Sequence, residues 1–222
     1  RKIPKLGTQG FKDYLRRLTD PHKFEVVTTL LQQEWAKSEP NYSDINALQA
    51  AQQVYRMRAT IANPNWDFEH NLFVPDKSGK PVELIPRPAQ QVIVDKYRAA
   101  LEANKPLRLL IPKARQHGVS QIIAAIIYRH VRTPSDRRLN ALVMAHEVPA
   151  ATIIFDKYRF YHQNDFLAPA QEIGNRGELI FKKGGRIQVR TAGGRAGHVG
   201  RGDTIHAVHF SESSSYPDGG VE

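Results

Sequence analysis

Cysteine is missing from all 222 residues. That excludes disulfides, thiolate zinc ligands and thiol catalysis, and it fits a reducing compartment. Long apolar runs are missing too. No stretch approaches the roughly 18 residues needed to span a bilayer, so no membrane partner is expected. The opening RKIPKLGTQG is basic but has no apolar core of the kind a secretory leader carries. There is no internal repeat and no low-complexity tract. The nine histidines show no H-E-x-x-H or comparable spacing. His206 and His209 lie three apart on an expected strand, which turns them to opposite faces. Acidic residues are in short supply: 22 against 32 basic ones, for a net charge of +10 and a pI near 9.9. That balance suits a polyanionic partner, nucleic acid above all.

What is present is enough for one globular domain and an appendage. Hydrophobic residues make up 41% and charged residues 24%, which allows a sizeable core. Residues 1–61 read as a helical region, with apolar residues at helical spacing over Phe11–Leu18 and Phe24–Lys37. A third helix runs from Asp44, with Ser43 as its expected N-cap. Residues 62–87 form a connector in which Pro64, Pro75, Pro81, Pro86 and Gly79 break regular structure. Trp66, Phe68 and Phe73 would pack it down. From residue 88 to 222 helices and strands alternate. Gln90–Glu102 is an expected helix, Leu107–Ile111 a strand and Gln121–Val131 a helix. Leu139–Ala145 follows as a strand and Pro149–Tyr161 as a helix. Glu178–Phe181 and Arg186–Arg190 form a hairpin across Gly184-Gly185, and Thr204–Phe210 is a last strand. Alternation of this kind predicts an α/β domain with a mostly parallel sheet flanked by helices.

Four features carry chemistry. The first is Lys113–Ser120, K-A-R-Q-H-G-V-S, between the strand ending at Ile111 and the helix after it. Strand, polar loop, hydroxyl residue and helix is the layout of a phosphate-binding loop, where free N–H groups and the helix dipole face an anion. The standard loop, G-x-x-x-x-G-K-[ST], has lysine where Val119 stands here. Lys113 or Arg115 would supply the cation from the other end, and Gly118 lets the backbone approach. Ser120 would give its hydroxyl to Mg²⁺. Taken alone, the segment also reads as an ordinary basic turn. The second feature is the apolar strand Ile205–Phe210 ending in Ser211-Glu212. Its pattern is that of a metal-side residue followed by a water-activating carboxylate, with serine in place of the usual aspartate. The two features lie about 90 residues apart with a strand between them.

The third is Thr191–Gly202, with five glycines and two arginines, Arg195 and Arg201, either of which could meet a phosphate. The fourth is Gln90, with Gln91 beside it, whose amide can read an adenine edge. The stretch Arg176–Arg201 also carries Lys182, Lys183, Arg186, Arg190 and Arg195 against one acid, Glu178, which makes a polyanion-facing surface if the bases point one way.

Together, K-A-R-Q-H-G-V-S, T-A-G-G, R-G and H-F-S-E resemble the large terminase subunit of tailed bacteriophages. The resemblance covers residues 84–217, the N-terminal ATPase half of such proteins. It implies a P-loop NTPase-like fold that binds ATP and Mg²⁺. Lys113 resembles that family's displaced loop lysine. Ala114, Arg115, Gln116, His117, Gly118, Val119 and Ser120 complete the loop, and Gln90 resembles its adenine-contacting glutamine. Ser120 and Ser211 stand at the metal-side positions. Glu212 matches the catalytic glutamate, and Arg201 an arginine offered to a neighbour's nucleotide. The resemblance implies a homo-oligomeric ring acting on double-stranded DNA, with a portal protein and a small terminase subunit as partners. It also implies work in the bacterial host cytoplasm, docked on a procapsid. Further strands are expected beyond Glu222, and the family's nuclease half outside this chain. A helicase-like translocase and a non-catalytic DNA-binding scaffold are the alternatives.

Overall fold

The computed structural model describes residues 3–112, 118–133, 138–175, 177–182, 185–192 and 204–216. The chain separates into two units, Arg1–Asp67 and Phe68–Glu222.

Three helices build the first unit: α1 (Gln9–Arg16), α2 (Asp20–Trp35) and α3 (Tyr42–Ala62). Side-chain caps start two of them. Thr8 Oγ1 accepts from the Phe11 amide at 3.2 Å, and Asn41 Oδ1 accepts from the amides of Ser43 and Asp44. The α3 cap is therefore Asn41, not Ser43. Asn41 caps the amides of Ser43 and Asp44, so the helix begins two residues earlier and Ser43 falls in its first turn. A small core of Phe24, Ala59 and Trp66, with Tyr55 against it, holds α2 to α3. The Phe24 and Trp66 rings meet edge to face at 5.3 Å. Gln52 Nε2 donates to Thr28 Oγ1 at 2.8 Å across the helix pair.

The proline-rich stretch is more regular than its composition predicts. It holds α4 (Pro64–Asn71) and a hairpin of β1 (Phe73–Pro75) with β2 (Pro81–Glu83). Pro64 sits where a helix begins, a position that needs no N–H. Asp76 Oδ1 takes the amides of Ser78 and Lys80, and Gly79 supplies positive φ in the hairpin loop.

The second unit continues with α5 (Pro88–Glu102), α6 (Val119–Arg132), β3 (Asn140–Ala145) and α7 (Val148–Asn164). The last strands are β4 (Gln171–Gly174), β5 (Glu178–Phe181), β6 (Arg186–Thr191) and β7 (Ala207–Phe210). Five of its strands form one sheet in the order β4-β5-β6-β3-β7. β3 is parallel to both β6 and β7, whereas β5 is antiparallel to β4 and to β6. The sheet is mixed, not mostly parallel. Two tight reversals add antiparallel strands on one side, and only the connections around β3 run as crossovers. α6 is apolar on nearly every side and is buried accordingly, with Ile122, Ala124, Ala125 and Tyr128 fully enclosed. It shares one core with Phe155, Tyr158, Val143, Leu179 and Ile187.

Leu107–Ile111 is not a strand. The segment has no regular secondary structure, and Leu110 is 95% exposed. An apolar run becomes a strand only where a neighbour takes its N–H and C=O groups, and no such pairing exists among the described residues. β7 is likewise an edge strand, with Val208 and Phe210 half exposed. Among the described residues no helix is long and apolar enough to cross a membrane.

Candidate functional site

Three of the sequence-derived features can be placed in whole or in part. At the start of α6, Gly118 is the N-cap with φ 67° and ψ 16°, a left-handed conformation that favours glycine. Its carbonyl accepts from the amides of Gln121 and Ile122, closing the first turn. A third bond reaches the same oxygen from Gln90 Nε2, at 2.9 Å. Gln90 is buried in the first turn of α5, and its Oε1 accepts from the Arg87 amide at 2.8 Å. Both ends of the Gln90 amide therefore hold backbone. In this structure Gln90 ties α5 to the start of α6 with one Nε2 hydrogen and one Oε1 lone pair. A Cβ on Gly118 would stand 2.5 Å from Gln90 Nε2, so the approach itself needs glycine.

Val119, in the slot where the standard loop carries lysine, is buried in the main core. That side chain points inward, and a charge there would lack water. Ser120 is half-buried in the first helical turn. Gln121 and Tyr161 lock this turn onto α7: Gln121 Nε2 donates to the Tyr161 hydroxyl, which donates to the Gln121 carbonyl. Burial pushes the Tyr161 phenol far above its ordinary value, so it stays a neutral donor. The α6 N-terminus is thus braced from two sides, and its positive dipole end lies at Gly118–Ser120.

The second feature sits at the carboxyl end of β7. The Ser211 amide donates to the Met144 carbonyl at 2.9 Å, extending the β3–β7 ladder by one bond, and Ser211 is buried. Glu212 then turns into the left-handed region, φ 56° and ψ 47°, unusual for a residue with a side chain. A short 3-10 turn, Ser213–Ser215, follows. Tyr216 folds back so that its hydroxyl donates to the Met144 carbonyl at 2.8 Å. Its ring meets Phe210 edge-on at 6.5 Å. Burial raises the Tyr216 phenol, partly offset by a backbone hydrogen bond from Ser211, so this donor also stays neutral. The clamp leaves the Glu212 carboxylate half exposed beyond the sheet edge. Its one ion-pair partner among the described residues is His146, with Nδ1 3.6 Å from Oε2.

Lys113, Ala114, Arg115, Gln116 and His117 lie outside the described residues, as do Arg195 and Arg201. No hydrogen bond or ion pair links the Gln90–Gly118 pair to Ser211–Glu212 among the described residues. Of the basic stretch, Arg186 and Arg190 both pair with Glu178, which uses two of those cations within the fold. Burial alone would raise the Glu178 carboxyl, but the two guanidiniums outweigh it and hold it below its ordinary range. A separate cleft of about 270 Å³ is lined by Phe155, Arg159, His162, Gln163, Gln171 and Leu179, and contains none of the sequence-derived site residues.

Sequence reasoning missed His146, Tyr216 and the left-handed turn at Glu212. His146 had a usable signal: it is the first residue after an apolar strand, where open α/β sheets gather functional groups. No protein-family model matches the chain, and no curated protein matches it.

Proposed function

We propose that this chain is the ATP-hydrolysing motor subunit of a viral DNA-packaging machine, of the kind represented by the large terminase subunit of tailed bacteriophages. Its second unit would be a P-loop-like ATPase domain. The observation that carries the reading is Glu212: a carboxylate presented to solvent at the end of a parallel strand, in a backbone conformation that the surrounding bonds impose. Strain of this kind persists where the fold overdetermines it, and it gathers at working sites. The braced, glycine-capped start of α6 supports the same reading from the phosphate side.

In that role the α6 N-terminus and the loop Lys113–Ser120 hold the phosphates of ATP, with Lys113 or Arg115 as the cation. Glu212 orients the attacking water and accepts its proton. Arg201 of an adjacent subunit in a ring neutralises developing charge. Ser120 and Ser211 offer hydroxyl oxygens, donors that Mg²⁺ accepts. Mg²⁺ at such sites is usually shared between waters, nucleotide phosphates and one or two carboxylates, so with serine at 211 the phosphates and waters would carry most of its coordination. The metal would supply charge neutralisation on those phosphates. Double-stranded DNA, a portal protein and a small terminase subunit are the proposed partners, in the host cytoplasm at a procapsid. DNA binding would rest on phosphate contacts and weaken steeply with salt.

Two observations favour a second reading. Gln90 is tied at both ends to backbone and Ser211 stands where an acid is usual, which fits a DNA-binding scaffold with an idle nucleotide site. Lys113→Ala separates the two. Under the motor reading, DNA-stimulated hydrolysis is lost while DNA binding is kept. Wild-type protein that binds DNA but shows no affinity for ATP would establish the scaffold instead.

A further inference from the structure

His146 follows directly on β3, and its backbone is pinned on both sides. The Ala145 carbonyl accepts from Ala192 at 2.8 Å, and the Glu147 carbonyl accepts from Ala151 in the first turn of α7. The imidazole stands between two carboxylates. Nδ1 is 3.6 Å from Glu212 Oε2 and Nε2 is 3.4 Å from Glu147 Oε1. The ring is 23% exposed, against 51% for the Glu212 side chain and 58% for Glu147. The ring is therefore the ordered member of the three, and Glu212 the one that needs ordering.

We infer that His146 is a positioning residue for Glu212, holding its carboxylate at the carboxyl edge between β3 and β7. The inference rests on the hydrolytic reading of Glu212. A half-exposed glutamate on a left-handed turn samples several rotamers, each costing attack geometry. Nδ1–H directed at Oε2 selects one of them. At 3.6 Å the contact is an ion-pair approach and not yet a hydrogen bond, and a small rotation of the carboxylate closes it. Glu147 competes for the same ring. A neutral imidazole has one N–H, so it serves Glu212 only when that proton is on Nδ1. Glu147→Gln offers Nε2 an amide donor and leaves Nδ1–H to Glu212.

The test compares steady-state ATP hydrolysis by wild type, Glu212→Gln, His146→Ala, His146→Asn and Glu147→Gln, with thermal melting as the folding control. The expected result for His146→Ala is a fall in kcat of about tenfold or more, with KM for ATP within about twofold and an unchanged melting temperature. Asparagine places an amide nitrogen close to the Nδ1 position, so His146→Asn recovers most of the rate. Glu147→Gln keeps or exceeds the wild-type rate. In solution NMR, the His146 ring signals shift on Glu212→Gln whether or not ATP is present. Wild-type kcat in His146→Ala, a rise in KM without a fall in kcat, or equal losses in the alanine and asparagine variants overturns the inference. An inactive wild type, or a fully active Glu212→Gln, overturns the hydrolytic reading itself and is recognised without the His146 variants.

Discussion

Replacing Gly118 with alanine tests how the start of α6 is built. The added Cβ meets two obstacles. The backbone is left-handed, φ 67°, which costs an L-residue about 1–2 kcal/mol. The Cβ would also stand 2.5 Å from Gln90 Nε2. Gln90 is buried and cannot move aside without breaking its bonds to Gly118 and Arg87, worth about 1 kcal/mol each. Reduced freedom of the unfolded chain returns about 0.4–1 kcal/mol. The net loss is about 3 kcal/mol, a fall in melting temperature of about 6–12 °C for a unit of this size. A double-mutant cycle isolates the cause. In a Gln90→Ala background the steric obstacle is gone, and Gly118→Ala should cost only the backbone part. The coupling between the two positions should be about 2 kcal/mol, the part owed to the Gln90 bonds. Urea unfolding of the four proteins measures it. Strictly additive costs, or a neutral Gly118→Ala, would refute the bridge from α5 to the loop.

Other consequences follow from the same geometry. Asp165 and Arg132 form a buried ion pair, Oδ2 to Nε 3.0 Å, with the Tyr128 hydroxyl donating to the same oxygen at 3.1 Å. Asp165→Ala removes the carboxylate from a buried guanidinium and should destabilise by about 3–5 kcal/mol, whereas Arg132→Met with Asp165→Leu should cost far less; calorimetry compares them. Tyr216→Phe removes the hydroxyl that donates to Met144 at 2.8 Å, so it should cost about 1 kcal/mol and loosen the Glu212 turn, read as faster amide exchange at Ser213–Ser215. Burial lowers His162, while burial together with Arg129 and His206 lowers His130, both from an ordinary 6.5. The unfolded chain then takes up protons that the native state refuses. Stability should be full above pH 6.5 and decline as pH falls below it, and His130→Gln with His162→Gln should flatten that slope in urea titrations at pH 5.5 and 7.

Helix positions were readable wherever the period was strong. α6 and α7 fall within three residues of the expected bounds, and β3 and the β5–β6 hairpin lie where alternation and the Gly184-Gly185 pair put them. The proline-rich stretch is more ordered than its composition suggests because proline at a helix start and in an edge hairpin is compatible with structure, and composition does not distinguish these from a break. β4 escaped notice because Gln171–Gly174 carries little apolar character and owes its strand state to pairing with β5. Leu107–Ile111 shows the converse: an apolar, β-prone run takes no strand partner among the described residues. At the site, the types Gly118, Ser211 and Glu212 could be singled out from sequence. The contacts that define them could not, because Gln90 to Gly118 and His146 to Glu212 are separated by 28 and 66 residues. Such pairs arise only when strand order is fixed.

Mg²⁺-dependent ATP hydrolysis, with and without double-stranded DNA, by the wild type beside Glu212→Gln tests the central claim most directly. The account predicts turnover stimulated by DNA in the wild type and a loss of about 100-fold or more in the variant, with ATP binding kept. Equal turnover in both proteins, or a wild type that does not bind ATP, would contradict it.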